Sequence, residues 1–105
     1  MRVLSGIQPS GSLHIGNYLG MMKPMISYMD REELFVFIVN LHAMTSVMDG
    51  EKLAKGTIEA AADFLALGLD PDRCIFWVQS DVPEVVELAW ILTCITPMGL
   101  LERCH

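Results

Sequence analysis

The first 29 residues contain no aspartate or glutamate, although the whole sequence carries 13 of these residues and a net charge of −6. The only charged side chains in this segment are those of Arg2 and Lys23. An anionic ligand would therefore meet no repulsion from side chains here. The sequence has a net negative charge, whereas a DNA-binding protein typically has a basic patch, so we expect no DNA partner.

Cysteine is also scarce, because Cys74, Cys94 and Cys104 are an odd number and form no CxxC motif. This pattern argues against a zinc site or a disulfide framework and favours reduced thiols. No apolar signal-peptide core follows Met1, and polar residues and glycines interrupt the uncharged run that ends at Met22. We therefore predict a cytoplasmic protein with no membrane span and no metal held by its own side chains.

Apolar residues make up 52% of the 105 residues, a high share for a soluble chain of at most one domain. Three short apolar stretches predict buried strands at Arg2–Ile7, Leu34–Asn40 and Cys74–Ser80. Helical patterns follow them over residues 14–30, 51–68 and 81–95. With right-handed crossovers, this β-α-β-α-β-α order predicts an α/β fold, a Rossmann-like parallel sheet with flanking helices.

The predicted helices carry terminal signals. Asp49 is a candidate N-cap and Gly68 a candidate stop for the second helix. Asp81 is placed to cap the third helix, with Glu84 three residues later completing a capping box. Pro24 predicts a kink in the first helix.

The stretch GIQPSGSLHIGNYLG, from Gly6 to Gly20, leaves the first predicted strand and enters a helix. That position is the usual phosphate site of an open α/β sheet, because free backbone amides and the positive end of the helix dipole attract an anion. Gly11 and Gly16 would let a nucleotide approach the backbone, while His14 and Asn17 can donate to one phosphate. A tight turn explains the same composition, and the spacing is neither GxGxxG nor GxxxxGK(S/T). On the residues alone, both interpretations stay open.

The same stretch resembles the first signature of the class I aminoacyl-tRNA synthetases, with Asn17 in place of the second histidine. GIQPSG before the motif and NYLG within it are similar to the tryptophanyl branch of that family. IVNLHAMT and LGLDPDRCIFWVQSDVPE, further along the chain, are similar to the second and third strands of that branch. The resemblance extends over essentially all 105 residues.

The resemblance implies roles for individual residues. The implied ATP-binding residues are Gln8, Pro9, Ser10, Gly16 and Asn17. His14 and Asn17 are the implied catalytic residues, with His14 steadying the phosphates as pyrophosphate leaves. Leu4, Gly6 and His42 are implied to line the amino-acid pocket. A histidine after an apolar strand is as readily a buried structural residue, so that alternative for His42 stays open.

The implied reaction is attack of the L-tryptophan carboxylate on ATP, with Mg²⁺ bound through the nucleotide phosphates, followed by transfer to tRNA(Trp). The lysine-methionine-serine-lysine-serine loop of the second class I signature does not occur in the sequence. We therefore expect residues 1–105 to be the N-terminal part of a nucleotide-binding catalytic domain, without the remainder of that domain and without an anticodon-binding domain. We expect the fragment alone to be inactive.

Two other functions remain open. A small nucleotidyltransferase of the HxGH type also places histidines at a first helix, although Asn17 and GIQPSG argue against it. A non-catalytic assembly module would dock through the nearly continuous apolar stretch Leu88–Leu101. That stretch also suits the homodimer that the resemblance implies. Trp77 and Trp90 are interpreted as core or interface aromatics.

Overall fold

The computed structural model describes residues 1–104. Three parallel strands form one sheet in the order β1-β2-β3, with bounds β1 Arg2–Ile7, β2 Glu33–Ile38 and β3 Ile75–Val78. The first strand has its predicted bounds. The second and third end earlier than predicted, because the chain turns into helical structure after Ile38 and Val78.

Among residues 1–104, six helices lie between and after the strands. Their bounds are α1 Ile15–Asn17, α2 Lys23–Tyr28, α3 Asn40–Ala43, α4 Gly50–Ala66, α5 Pro83–Ile95 and α6 Met98–Leu101. A π-helical segment, Tyr18–Met22, joins α1 to α2, and a 3-10 turn, Gln79–Asp81, follows β3. The predicted α/β fold with a parallel sheet and flanking helices is confirmed. The short helices α3 and α6 were not predicted.

One face of the sheet forms the hydrophobic core. Ile7, Ile38 and Val78 lie side by side in register across the three strands. Met22 and Met25 from the first helical segment and Phe64 from α4 belong to the same buried cluster. Burying a side chain of this size stabilises the fold by about 1.5–3 kcal/mol. This cluster fixes the carboxyl ends of the strands, where the candidate sites lie.

The opposite face of the sheet is largely bare among residues 1–104. Leu4 is 64% exposed and Ile75 is 51% exposed. Trp77 stacks on Phe37 with ring centroids 5.0 Å apart, and these rings are only partly covered. The high apolar content of the sequence therefore includes side chains that the described residues leave uncovered.

The capping predictions were right for α4 and wrong for α5. The Oδ1 atom of Asp49 accepts hydrogen bonds from the N–H groups of Glu51 and Lys52, at 3.0 and 3.1 Å. Asp81 instead lies in the 3-10 turn, where its Oδ2 accepts from the N–H of Val78 at 3.3 Å. The N-cap of α5 is Val82, which supplies no side-chain hydrogen bond, so the predicted capping box with Glu84 does not form.

Helix α5 exposes apolar side chains of its own. None of residues 83–95 is buried, and Trp90 and Ile95 are 70% and 73% exposed. Trp90 is therefore not a core residue of the described chain, while its interpretation as an interface aromatic stays a prediction. Within residues 1–104, no helix combines the length and the apolarity that crossing a membrane requires.

Candidate nucleotide-binding site

The loop between β1 and α1 is held in place from both sides. Pro9 is buried, and a Cβ atom at Gly56 of α4 would lie 3.2 Å from the Pro9 carbonyl oxygen, so helix and loop are in close contact. The side chain of Gln8 donates to the hydroxyl of Ser46 at 3.3 Å. Gly11 has a φ of +153°, a conformation that other residues rarely adopt. Packing, one side-chain bond and one glycine thus fix the shape of the loop.

His14 and Asn17 close the first turn of the helix between them. The Nδ1 atom of His14 accepts a hydrogen bond from the N–H of Gly16 at 3.1 Å. The main-chain N–H of His14 donates to Oδ1 of Asn17 at 3.0 Å. Because Nδ1 is an acceptor, the ring proton of the neutral imidazole is on Nε2. The Nε2–H of His14 and the Nδ2 amide hydrogens of Asn17 remain as donors for a ligand.

These side chains line a cleft of about 240 Å³. The lining residues are Gln8, Ser10, Gly11, Ser12, Leu13, His14 and Asn17. The structure therefore brings together four of the predicted site residues, Gln8, Ser10, His14 and Asn17. The lining of the cleft contains no acidic side chain, because all its residues belong to the first 29 of the sequence, which have no aspartate or glutamate. The cleft presents neutral hydrogen-bond donors to an anion.

The other two predicted ATP-binding residues do not line this cleft. Pro9 is buried against α4 and borders a second groove. Gly16 lies beneath the His14 ring, because a Cβ at Gly16 would lie 2.9 Å from ring atoms Cε1 and Nδ1. In this structure Gly16 makes room for the imidazole and donates its N–H to it.

The second groove is lined in part by residues that were not predicted to belong to a site. It measures about 250 Å³ and lies between the loop and α4, with Lys52, Lys55 and Glu59 among its lining residues. Lys52 pairs with Asp49 at 3.6 Å and Lys55 with Glu59 at 3.7 Å. The crossover between the parallel strands β2 and β3 brings α4 next to the loop after β1. These lysines could have been predicted from that topology, because they lie on α4.

Two of the predicted amino-acid-pocket residues, Leu4 and Gly6, lie in β1 at the exposed face of the sheet. Leu4 lines an apolar cavity of about 240 Å³ together with Phe37, Trp77, Gln79, Val82 and Val85. Gly6 is in register with Phe37, and a Cβ at Gly6 would lie 2.5 Å from Cγ2 of Val39. Only glycine therefore fits at this position. Gln79 was not predicted at this site, and Trp77 was predicted to be a core or interface aromatic.

His42 does not line that cavity. It is exposed in α3, so the buried structural alternative for His42 is wrong. Its main-chain N–H donates to Oε1 of Gln79 at 3.3 Å, which ties it to a residue of the cavity wall. The structure thus places His42 beside the cavity through Gln79.

Few other groups in the described chain are chemically distinctive. Burial, and secondarily the negative charge of Asp70, raises the pKa of the Cys74 thiol. Cys94 and Cys104 are exposed. Within residues 1–104, no three histidine, cysteine, aspartate or glutamate side chains are grouped so that they could hold a metal ion.

Comparisons with known proteins identify the family. Residues 1–104 match the model of the family described as tRNA synthetases class I (W and Y). Tryptophan–tRNA ligase of Campylobacter jejuni (strain RM1221) is 60% identical over 105 residues, which are 100% of this chain and 33% of that protein. Tryptophan–tRNA ligase of Rhodopirellula baltica is 55% identical over 105 residues, with the same coverage of 100% and 33%. The chain spans about a third of the length of these curated relatives.

Solved structures agree with this assignment. The crystal structure of tryptophanyl-tRNA synthetase from Campylobacter jejuni complexed with ADP and tryptophan matches with a TM-score of 0.90 at 60% identity, covering 100% of this chain and 33% of that one. The enzyme from Mycoplasma pneumoniae matches with a TM-score of 0.88 at 35% identity, covering 98% and 31%. The resemblance of the Gly6–Gly20 motif is confirmed: the chain belongs to the class I tRNA synthetases of the W and Y family.

Proposed function

We propose that this chain is the N-terminal part of the nucleotide-binding catalytic domain of a tryptophan–tRNA ligase. The observation that carries the proposal is the cleft in which His14 and Asn17 cap a helix with donors left over for an anion. The 60% identity to a tryptophan–tRNA ligase supports tryptophan as the amino acid. The crystal structure of a relative in complex with ADP and tryptophan supports both ligands.

ATP would bind with its phosphates in the cleft. The Nε2–H of His14 and the Nδ2 amide of Asn17 would donate to phosphate oxygens, with Gln8 and Ser10 supplying further polar contacts. Gly16 would contribute indirectly, because it gives the imidazole its place. Pro9 would contribute through the shape of the loop.

The reaction is a displacement at phosphorus. An oxygen of the tryptophan carboxylate forms a bond to the α-phosphorus of ATP, and the bond from that phosphorus to the bridging oxygen breaks. The products are tryptophanyl-adenylate and pyrophosphate, which carries away the electron pair of the broken bond. Such a step needs alignment and stabilisation of charge on the phosphate oxygens. His14 and Asn17 would supply stabilisation as neutral donors, so the reaction needs no general base from this cleft.

Mg²⁺ would be held by the nucleotide. The cleft has no carboxylate ligand, and hard divalent cations prefer oxygen ligands such as phosphate. The ion would neutralise part of the phosphate charge when bound. This chain's own share is to orient the phosphates through the loop and the helix start.

The amino-acid pocket would form at the apolar cavity. Leu4, with the aromatic rings of Phe37 and Trp77, offers an apolar wall of the kind that an indole ring packs against. Gly6 would give the Val39 and Phe37 side chains their places near the carboxyl end of β1, and His42 would border the pocket beside Gln79. The amino acid would then lie next to the loop that holds ATP, since β1 connects the two.

The partners of the whole protein are tRNA(Trp) and a second copy of itself. The tRNA follows from the proposed ligase activity, with the cytoplasm as the place where it would be charged. The homodimer implied by the resemblance is supported by the exposed apolar side chains of α5, such as Trp90 and Ile95. Both proposals concern a protein about three times as long as this chain.

Pyrophosphate exchange tests the proposal. A full-length protein that contains this chain is incubated with ATP, Mg²⁺ and labelled pyrophosphate, with and without each of tryptophan and tyrosine. We expect exchange with tryptophan to exceed exchange with tyrosine by at least about 10², a discrimination that a pocket reading polar groups permits. Equal exchange with both amino acids would contradict the tryptophan assignment, and exchange with neither would contradict the ligase.

A further inference from the structure

The exits of β2 and β3 are joined by a pair of side-chain hydrogen bonds. Asn40 is the first residue of α3, after β2, and Ser80 lies in the 3-10 turn after β3. The Nδ2 of Asn40 donates to Oγ of Ser80 at 2.9 Å. The main-chain N–H of Ser80 donates to Oδ1 of Asn40 at 3.1 Å. One amide side chain thus binds both the hydroxyl and the backbone of a residue 40 positions later.

This pair continues the sheet beyond its last ladder position. The register of β2 and β3 ends with Ile38 opposite Val78. After that point the two chains turn into helical segments, which have no backbone ladder to hold them together. A planar amide that donates to Ser80 and accepts from it fixes both the distance and the orientation between the segments. Asn40 therefore holds the two segments together after the strand pairing has ended.

The proposed amino-acid pocket depends on these same two exits. His42 lies two residues after Asn40 in α3, and Gln79 directly precedes Ser80. The His42 N–H donates to Gln79 Oε1 at 3.3 Å, so a third bond runs parallel to the Asn40–Ser80 pair. Gln79 also lines the apolar cavity. The bond between His42 and Gln79, a residue of the cavity wall, thus joins the same two segments as the Asn40–Ser80 pair.

We propose that Asn40 is a positioning residue for amino-acid binding, which acts by fixing Ser80 and thereby the distance from His42 to the cavity. This inference rests on the proposed function, because it takes the cavity and His42 as the tryptophan pocket. Asn40 lines neither that cavity nor the cleft beside His14. Its effect is therefore on tryptophan rather than on ATP.

The test compares two substitutions of Asn40 in a full-length protein that contains this chain. Asn40→Ala removes both bonds to Ser80. Asn40→Asp keeps an acceptor for the Ser80 N–H and offers its second oxygen to the Ser80 hydroxyl, so the pair survives with one direction reversed. In tryptophan-dependent pyrophosphate exchange, we expect Asn40→Ala to raise the KM for tryptophan about tenfold or more, as loss of one or two net hydrogen bonds predicts. The KM for ATP should change less than about twofold, and Asn40→Asp should restore the KM for tryptophan to within about threefold of the wild type.

A second variant keeps the test decisive if Asn40→Ala fails to fold. Ser80→Ala loses only the hydroxyl bond, so we expect a smaller rise in the KM for tryptophan and an unchanged KM for ATP. An unchanged KM for tryptophan in folded Ser80→Ala would contradict the positioning role. Ser27→Ala is the matched control, because within residues 1–104 the Ser27 hydroxyl bonds only to the Pro24 carbonyl of its own helix. It should leave both KM values unchanged.

The outcomes separate this inference from the proposed function. If the wild-type protein shows no tryptophan-dependent exchange, the proposed function has failed. If exchange is present but folded Asn40→Ala leaves the KM for tryptophan unchanged, or raises both KM values equally, the positioning role is wrong. Failure of Asn40→Asp to restore tryptophan binding would also overturn it.

Discussion

The main-chain N–H of His14 and the Oδ1 of Asn17 are joined by a 3.0 Å hydrogen bond at the start of the helix that follows β1. This bond occupies the oxygen of the Asn17 amide and leaves its nitrogen free to donate. The imidazole of His14 is used in the same way, with Nδ1 accepting from Gly16 and Nε2–H left over. One half of each side chain thus caps the helix, and the other half is available for a ligand.

Asn17→Asp should weaken ATP binding without weakening the fold. The carboxylate keeps an acceptor for the His14 N–H, and a negative charge at a helix start is favourable. It replaces the Nδ2 donors, however, with a charge that repels phosphate. We expect the Kd for ATP to rise at least about tenfold, and the thermal midpoint to stay within a few degrees of the wild type.

The measurement for Asn17→Asp is calorimetric titration of ATP into the full-length protein. Ser27→Asp is the matched control, because it adds the same charge at an exposed position of α2. The control should bind ATP as the wild type does. An unchanged Kd in Asn17→Asp would contradict the placement of phosphate beside Asn17.

His14→Asn should lower the rate while keeping the helix cap. Asparagine is among the best N-cap residues, so its side-chain oxygen can accept the bond from Gly16 that Nδ1 now accepts. The Nε2–H is lost. If it stabilises the departing pyrophosphate, the rate of tryptophan-dependent exchange should fall about 10²- to 10³-fold. His14→Ala, which loses cap and donor together, should in addition lower the free energy of unfolding by about 1 kcal/mol. An exchange rate within twofold of the wild type in His14→Asn would show that His14 is a cap alone.

Much of the fold follows from local sequence signals. The strand Arg2–Ile7 and the N-cap Asp49 were predicted at their observed positions, although Ile7 alone of that strand is buried among residues 1–104. An aspartate before a helix is a strong local signal. Asp81 carried the same signal but bonds to Val78 instead. The 3-10 turn in which Asp81 lies is bonded to Asn40 through Ser80, a contact between distant parts of the chain that no local pattern shows.

Some residues of the candidate site could likewise be predicted from local sequence, and others could not. His14 and Asn17 are three residues apart, so their shared helix face could be inferred from spacing. The position of His42 could not, since the chain leaves β2 and enters α3 before His42 is reached. Gln79 and Lys55 reach their sites through crossovers between strands and helices, which bring together residues remote in sequence. Such residues are found from the topology rather than from a motif.

Gly11→Ala should disturb the loop through backbone strain. At Gly11 a Cβ would meet no atom within 4 Å, so its φ of +153° is the whole difficulty. Holding alanine in a sparsely populated conformation costs about 1–3 kcal/mol. The loop should relieve part of that cost by changing shape, which would weaken ATP binding. Gly99→Ala is the matched control, because Gly99 lies in α6 without positive φ and also has open space around it. Thermal unfolding and ATP titration of both variants measure the effect, and equal results would rule out a conformational role for Gly11.

A protein of these 105 residues alone should not activate tryptophan at the rate of the full-length protein. The structure provides one side of the phosphate site, from the loop and the start of α1. The lysine-containing loop of the second class I signature is not in the sequence, and loss of one preorganised electrostatic group typically costs 10²- to 10³-fold in rate, as a rough figure. Tryptophan-dependent exchange by the purified 105-residue chain, measured beside the full-length protein, tests this expectation. A rate within about tenfold of the full-length protein would show that the second loop is dispensable.

The same 105-residue chain should self-associate through α5. Helix α5 exposes Trp90, Ile91 and Ile95, and a contiguous apolar surface of this kind is removed from water when two copies meet. Lysine in that surface would have to be desolvated in the interface, so Ile91→Lys combined with Ile95→Lys should shift the chain toward the monomer. Ile58→Lys is the matched control, because Ile58 is 71% exposed on α4, away from α5. Sedimentation velocity at several concentrations distinguishes the variants. If the α5 variant self-associates as strongly as the Ile58 variant and the unsubstituted chain, α5 is not the contact surface.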